Sequence, residues 1–212
     1  MAICVPPLEY YFGLKQYGSR GTVEIKKNEW DIVIYEARKM ILLLAKGNPN
    51  VLMALWLEHE HYLNMIEAGK LLLDNRHLFV GKHVYHSFTG YAYDQLKRMT
   101  TFSFKGYMGE KRKRLVEKFG YDTKNAAHLI RLLRMGIEFL TDGVLHVKRP
   151  DAPELLEIKR GEWTLDQVKS EAEKLFLLAD KAYEQSKLPE KPDMELVNKL
   201  CVDVIETAIG KV

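Results

Sequence analysis

Gly18-Ser19 and Asp31 are the first residues in the chain whose types and spacing can do chemistry: a Gly-Ser turn, eleven residues, then a carboxylate at the head of Ile32-Val33-Ile34. A tight Gly-Ser turn lets backbone N–H groups approach phosphate oxygens. Two carboxylates one residue apart on a strand point to the same face and can share divalent cations. The position that would complete such a pair is Val33, so this stretch offers one carboxylate only.

Other candidates follow along the chain. Lys39 and Lys46 are seven apart, near two helical turns, so one helix face can bring both to a phosphate. Asn48 and Asn50 flank Pro49; their amides suit a base edge or ribose, and equally suit capping and turn formation. His128 and Arg131, three apart, can share a face toward substrate, the rival being a buried, hydrogen-bonded histidine. Tyr91, Tyr93, Lys97 and Arg98 place aromatics beside cations, a combination that stacks on bases and neutralises phosphates, although such aromatics also serve as core. His59 and His61 are two apart, which on a helix separates them, and nothing near His83 and His86 completes a zinc set.

Charge points the same way. From Gln95 to Arg134 there are eleven Lys or Arg against three acids, a local +8 that leaves −5 for the rest of a chain of net charge +3. The run Lys111, Arg112, Lys113 and Arg114 is its densest part. A polyanion partner, RNA or DNA, is the functional reading, and a solvated helical face the structural one.

The length of 212 residues, with 47% apolar and 29% charged, allows a buried core in one domain or two small ones. No segment approaches the roughly 18 apolar residues of a membrane helix. Cys4 and Cys201 form neither a metal motif nor a multi-bridge framework, so a reducing, cytoplasmic setting is expected. No Walker loop, dinucleotide fingerprint or Gly-x-Ser-x-Gly elbow is present, which leaves kinase, dehydrogenase and hydrolase readings without support.

The segment up to Asn28 reads as loop or short extended chain, and "WDIVIYE" as a strand. Ala37 to Lys46 reads as a buried helix ended by Gly47, with Asn50 as the cap of the next helix. Helices are expected near 63–75, 80–100, 110–119, 123–142, 152–158, 164–186 and 193–209. Asp122 or Thr123 caps the fourth of these, "VLHVKRP" is a short strand, and "SKLPEKPD" a hinge. The fold class is α+β, predominantly helical.

The segments "PPLEYYFGLKQ", "DIVIYEARKMILLLAKGNPNVLMALW" and "KNAAHLIRLLRMGIEFLTDGVL…RPDAPELLEIKRGEW" together resemble the polymerase β-like nucleotidyltransferases of the RNA-repair type. The resemblance implies a partial nucleotidyltransferase core at 1–60 followed by a helical region at 61–212 with a basic surface. It implies transfer of a nucleotide from a triphosphate to a polynucleotide or other hydroxyl, with Mg²⁺ or Mn²⁺ as cofactor. In that family the Gly-Ser turn and paired aspartates precede the segment resembling "PPLEYYFGL", which here starts five residues after Met1. Gly18-Ser19 is then a chance match, and Asp31 stands for the third carboxylate, on the later strand. The upstream strands are expected from another polypeptide or a second copy. One alternative is a catalytically inactive module that binds nucleic acid or a partner. Another is a rearranged site joining Asp31 to Glu24 or Glu36.

Overall fold

The computed structural model describes residues 1–101 and 110–210, and the side chains of all of these except 100, 101 and 110–112. Lys105, and the side chains of Lys111 and Arg112 in the expected basic surface, lie outside what is described. The chain is predominantly helical with one small sheet, an α+β fold. It forms two compact units, one of Met1–Val80 with Lys191–Val212 and one of Gly81–Glu190. The strand-bearing unit thus extends past residue 60 and includes the last helix.

In the first unit β1 (Ala2–Cys4), β2 (Thr22–Lys27) and β3 (Trp30–Glu36) form a sheet of order β1-β3-β2. β1 runs parallel to β3, with Ala2 opposite Ile34, and β2 antiparallel, with Lys26 opposite Asp31. β2 and β3 join through Asn28-Glu29, where Asn28 takes a φ of 55°, the left-handed geometry that two-residue hairpins require. β3 was legible from its alternating β-branched and aromatic residues. β1 and β2 are extended, one of the two readings of the segment up to Asn28, and strands this short are fixed by pairing with β3 rather than by their own pattern; the short helix α1 (Leu8–Phe12) is the departure from that reading.

α2 (Ala37–Ala45) buries Met40, Ile41 and Leu44, and Gly47, at φ 65°, stops it as expected. The cap of α3 (Pro49–Leu52) is Asn48, whose side chain accepts from the Asn50 N–H; Asn50 is not the cap, since Pro49 occupies the first helical position. α4 (Glu67–Asp74) and α10 (Met194–Ile209) complete this unit, α10 burying Val197, Leu200 and Val204 against α4 and α2.

The second unit is helical: α5 (Val84–Thr101), α6 (Glu110–Phe119), α7 (Thr123–Asp142), α8 (Ala152–Arg160) and α9 (Leu165–Gln185). α7 packs against the other four. Its inner face carries Leu129, Ile130, Leu133, Phe139 and Leu140 at helical spacing, all buried. Gly136 lets α5 approach, since a Cβ there would lie 3.0 Å from that of Phe88. Asp122 caps α7 by accepting from the Asn125 N–H, and Gly143, at φ 70°, ends it. The stretch "VLHVKRP" is irregular, not a strand; Arg149 within it holds Glu138 and Asp151 instead of pairing with a neighbouring strand. The boundary between Glu190 and Lys191 falls inside "SKLPEKPD".

Candidate functional site

In the first unit Asp31 is exposed on the central strand, near the hairpin end. Its cross-strand neighbour is Lys26, so opposite charges face each other on one side of the sheet. Glu24, opposite Val33, lies on the same face as Asp31, diagonally across. Glu36 does not. It falls on the other face by strand alternation, is 2% exposed, and its carboxylate caps α2 by accepting from the Arg38 and Lys39 N–H groups. The Tyr11 hydroxyl and Arg38 Nε also donate to Glu36, at 3.1 and 3.3 Å. The alternative of a rearranged site joining Asp31 to Glu36 is therefore corrected: a carboxylate with four protein donors is a structural group.

The Gly-Ser turn is likewise built into the scaffold. Gly18 sits at φ 52°, where a Cβ would meet the Thr22 carbonyl oxygen, and Ser19 exchanges backbone hydrogen bonds with Thr22. Lys39 Nζ donates to the Arg20 carbonyl at 2.8 Å and to Thr22 Oγ1 at 2.6 Å, so its ammonium already has two acceptors. Lys46 and Asn50 are exposed at the end of α2 and the start of α3, while the Asn48 side chain is engaged in its cap.

The second unit brings a different set together. Lys124, His128 and Arg131 follow one face of α7 at i, i+4 and i+7. Arg131 Nη2 lies 3.0 Å from His128 Nδ1. A guanidinium only donates, so Nδ1 accepts and the neutral ring carries its proton on Nε2. Burial first, then the fields of Arg131, Lys124 and Arg98, push His128 down to about 4, which keeps it neutral at pH 7. Lys97 and Arg98 are exposed near the end of α5, and Lys113 and Arg114 on α6. Tyr93 beside them is also exposed, whereas Tyr91 is half-buried.

Sequence comparison extends across both units. The family model of the RNA repair pathway DNA polymerase beta family matches residues 1–203. The chain belongs to this family. No curated protein and no solved structure matches it.

Membership in the RNA repair pathway DNA polymerase beta family implies divalent cations held by a group of carboxylates, and the donor set around Asp31 does not supply one. Its nearest strand neighbour is a lysine, Glu24 stands diagonally across the sheet, and Glu36 is turned away and saturated. Among the described residues, the group of three potential ligands within mutual reach is Glu58, Glu60 and His61, which excludes Asp31 and His59. Asp31 therefore stands on this sheet without a second carboxylate directly opposite it. Among the described residues, no helix is long and apolar enough to cross a membrane, and both cysteines are free thiols.

Sequence reading passed over Lys124 as a site residue, although its spacing from His128 and Arg131 was the available signal. It also passed over Arg38, which stacks over the rings of Tyr10 and Tyr11 at 5.0 and 4.8 Å. The juxtaposition of "EYY" and "EAR" requires β1 and β3 to pair, which spacing alone does not express.

Proposed function

We propose that this chain is the Asp31-bearing part of a polymerase β-like nucleotidyltransferase that joins a nucleotide from a triphosphate to a hydroxyl on RNA or DNA. The family match over residues 1–203 carries this reading. In the transfer, an acceptor oxygen attacks the α-phosphorus in line, the bond to the leaving oxygen breaks, pyrophosphate departs and the hydroxyl proton is lost to a base. Asp31 is the carboxylate that β3 would offer to a Mg²⁺ or Mn²⁺ ion. The remaining carboxylates come from polypeptide outside these residues, a second copy or a partner chain. Lys46 and Asn50, both exposed, contact the nucleotide. Lys97, Arg98, Lys113 and Arg114, with Lys111 and Arg112 beside them in sequence, neutralise the polynucleotide. The setting is cytoplasmic.

The single exposed carboxylate on β3, Asp31, favours a second reading, in which the chain binds nucleic acid or a partner without catalysis. Calorimetric titration of nucleoside triphosphates with Mg²⁺ into this chain, and into Asp31→Ala, separates the two. Metal-dependent binding lost in the variant supports the enzyme; RNA binding that weakens steeply with salt, without triphosphate binding, supports the module.

A further inference from the structure

Three arginines on and beside α7 differ in how their charge is met. Arg134 has three carboxylates, with Nη1 at 2.8 Å from Asp151 and 2.7 Å from Glu154, and Nη2 at 3.1 Å from Glu171. Arg149 has two, Glu138 and Asp151. Arg131, half-buried, has none: among the described residues its hydrogen-bond partner is the neutral ring of His128. The neighbouring charges felt at His128 and Arg131 come from Arg98, Lys124 and Arg149, all cations. Burial, followed by Arg149, lowers the pKa of Arg131, the mark of a charge held at a cost.

A guanidinium withdrawn from water without a counter-ion is unfavourable, and among the described residues Glu138, Asp151, Glu154 and Glu171 are paired with Arg134 and Arg149. The arrangement makes sense once the missing negative charge comes from outside. Arg131 retains donors beyond the one given to His128, the His128 Nε2–H is a further donor, and Lys124 on the same helix face has no protein partner among the described residues. A tetrahedral anion with several acceptor oxygens matches that donor set, and arginine recognises phosphate by paired N–H bonds.

We propose that Lys124, His128 and Arg131, with Arg98 from α5, form a phosphate-binding site in the helical unit, in which neutral His128 acts as a positioning residue that accepts from Arg131 and orients its fork. The site rests on the charge arrangement of this unit and holds whether or not the chain transfers nucleotides. The two sources considered for the phosphate, a nucleoside triphosphate or the phosphorylated end of an oligonucleotide, follow from the nucleotidyl-transfer reading.

Thermal unfolding of the full chain, with inorganic phosphate replacing chloride at constant ionic strength, tests it without any transfer chemistry. At phosphate about 100-fold above its dissociation constant, the wild type gains roughly 5–10 °C. Arg131→Met, which removes an unmatched charge, unfolds without phosphate no lower than wild type and loses most of the gain. Should Arg131→Met not fold, Lys124→Gln, at an exposed position, halves the gain or more. His128→Gln, which keeps an acceptor, retains it better than His128→Leu. An equal phosphate shift in wild type and in these variants, or none in wild type, overturns the site. ATP and a 5′-phosphorylated RNA oligonucleotide, each with its 5′-hydroxyl counterpart as control, then identify the source by which reproduces the Arg131-dependent gain.

Discussion

The Tyr11 hydroxyl donates to Glu36 Oε1 at 3.1 Å, tying α1 to the point where β3 becomes α2. Glu36 serves four donors from a position 2% exposed, so it joins helix cap, sheet end and aromatic pair in one carboxylate. Glu36→Ala strands those donors and costs roughly 2–4 kcal/mol. Hydrogen exchange of the α2 amides measures this locally, which matters in a protein of two units. Unchanged protection would mean that the carboxylate does not organise the junction.

Asp31 behaves in the opposite way. It is exposed, its sheet pairing uses only backbone, and its cross-strand partner is an exposed lysine. Asp31→Asn therefore changes stability by no more than about 0.5 kcal/mol. Metal-dependent triphosphate binding, measured on the same sample, falls at least tenfold. Loss of stability together with binding would make Asp31 a structural residue of the hairpin and remove it from the site.

What was legible in the sequence follows from how local each cause is. α7, α9 and α10 lie within a residue or two of expectation; the structure adds the local causes, a cap at Asp122 as read, caps at Thr164 and Asp193, and glycines at the ends of α7 and α10. The order Asn48-Pro49 contained the correct cap, because proline favours the first helical position and leaves the residue before it as the cap. β1 was hidden because its partner is some thirty residues away, and three residues carry too little pattern to declare a strand. The candidate site was legible in residue types and not in their use. Lys39 reads as a phosphate contact until the structure turns it onto Arg20 and Thr22, and Glu36 reads as a candidate partner of Asp31 until it caps a helix on the other face of the strand.

Arg134 joins α7 to Asp151 and Glu154 at α8 and to Glu171 on α9, with its side chain 17% exposed. Arg134→Met leaves these carboxylates crowded and only Arg149 to serve Asp151, at a cost of about 3 kcal/mol. The contrast with Arg131→Met, three residues away and expected to cost little, is read by urea unfolding of both variants. Burial raises the Asp151 carboxyl, but hydrogen bonds from Arg149 and Arg134 outweigh it and hold the group below its ordinary value. A depressed folded value gives stability that is complete above the unfolded pKa and is lost as pH falls through the folded one. Arg134→Met therefore loses least relative to wild type at the most acid pH.

His128 reports on the same helix through pH. Its folded pKa, about 4, lies below the ordinary 6.5, first through burial and then through Arg131, Lys124 and Arg98. Between these values the unfolded chain binds the proton and the folded chain does not, so stability rises with pH. The contribution is complete above about 6.5 and is lost as pH falls toward 4, in total roughly 2–3 kcal/mol. Carboxylates titrate in the lower part of this window, so the measurement is the difference between wild type and His128→Gln in urea unfolding from pH 7 to 4. The variant should lose less stability over that range. Imidazole ¹⁵N shifts give a direct check, with His128 neutral and protonated on Nε2 at pH 6, and Lys124→Gln raising its midpoint. A His128 midpoint near 6.5 in the wild type would show that no cationic, half-buried environment surrounds the ring, and with it would fall the argument for an anion as the missing partner of Arg131.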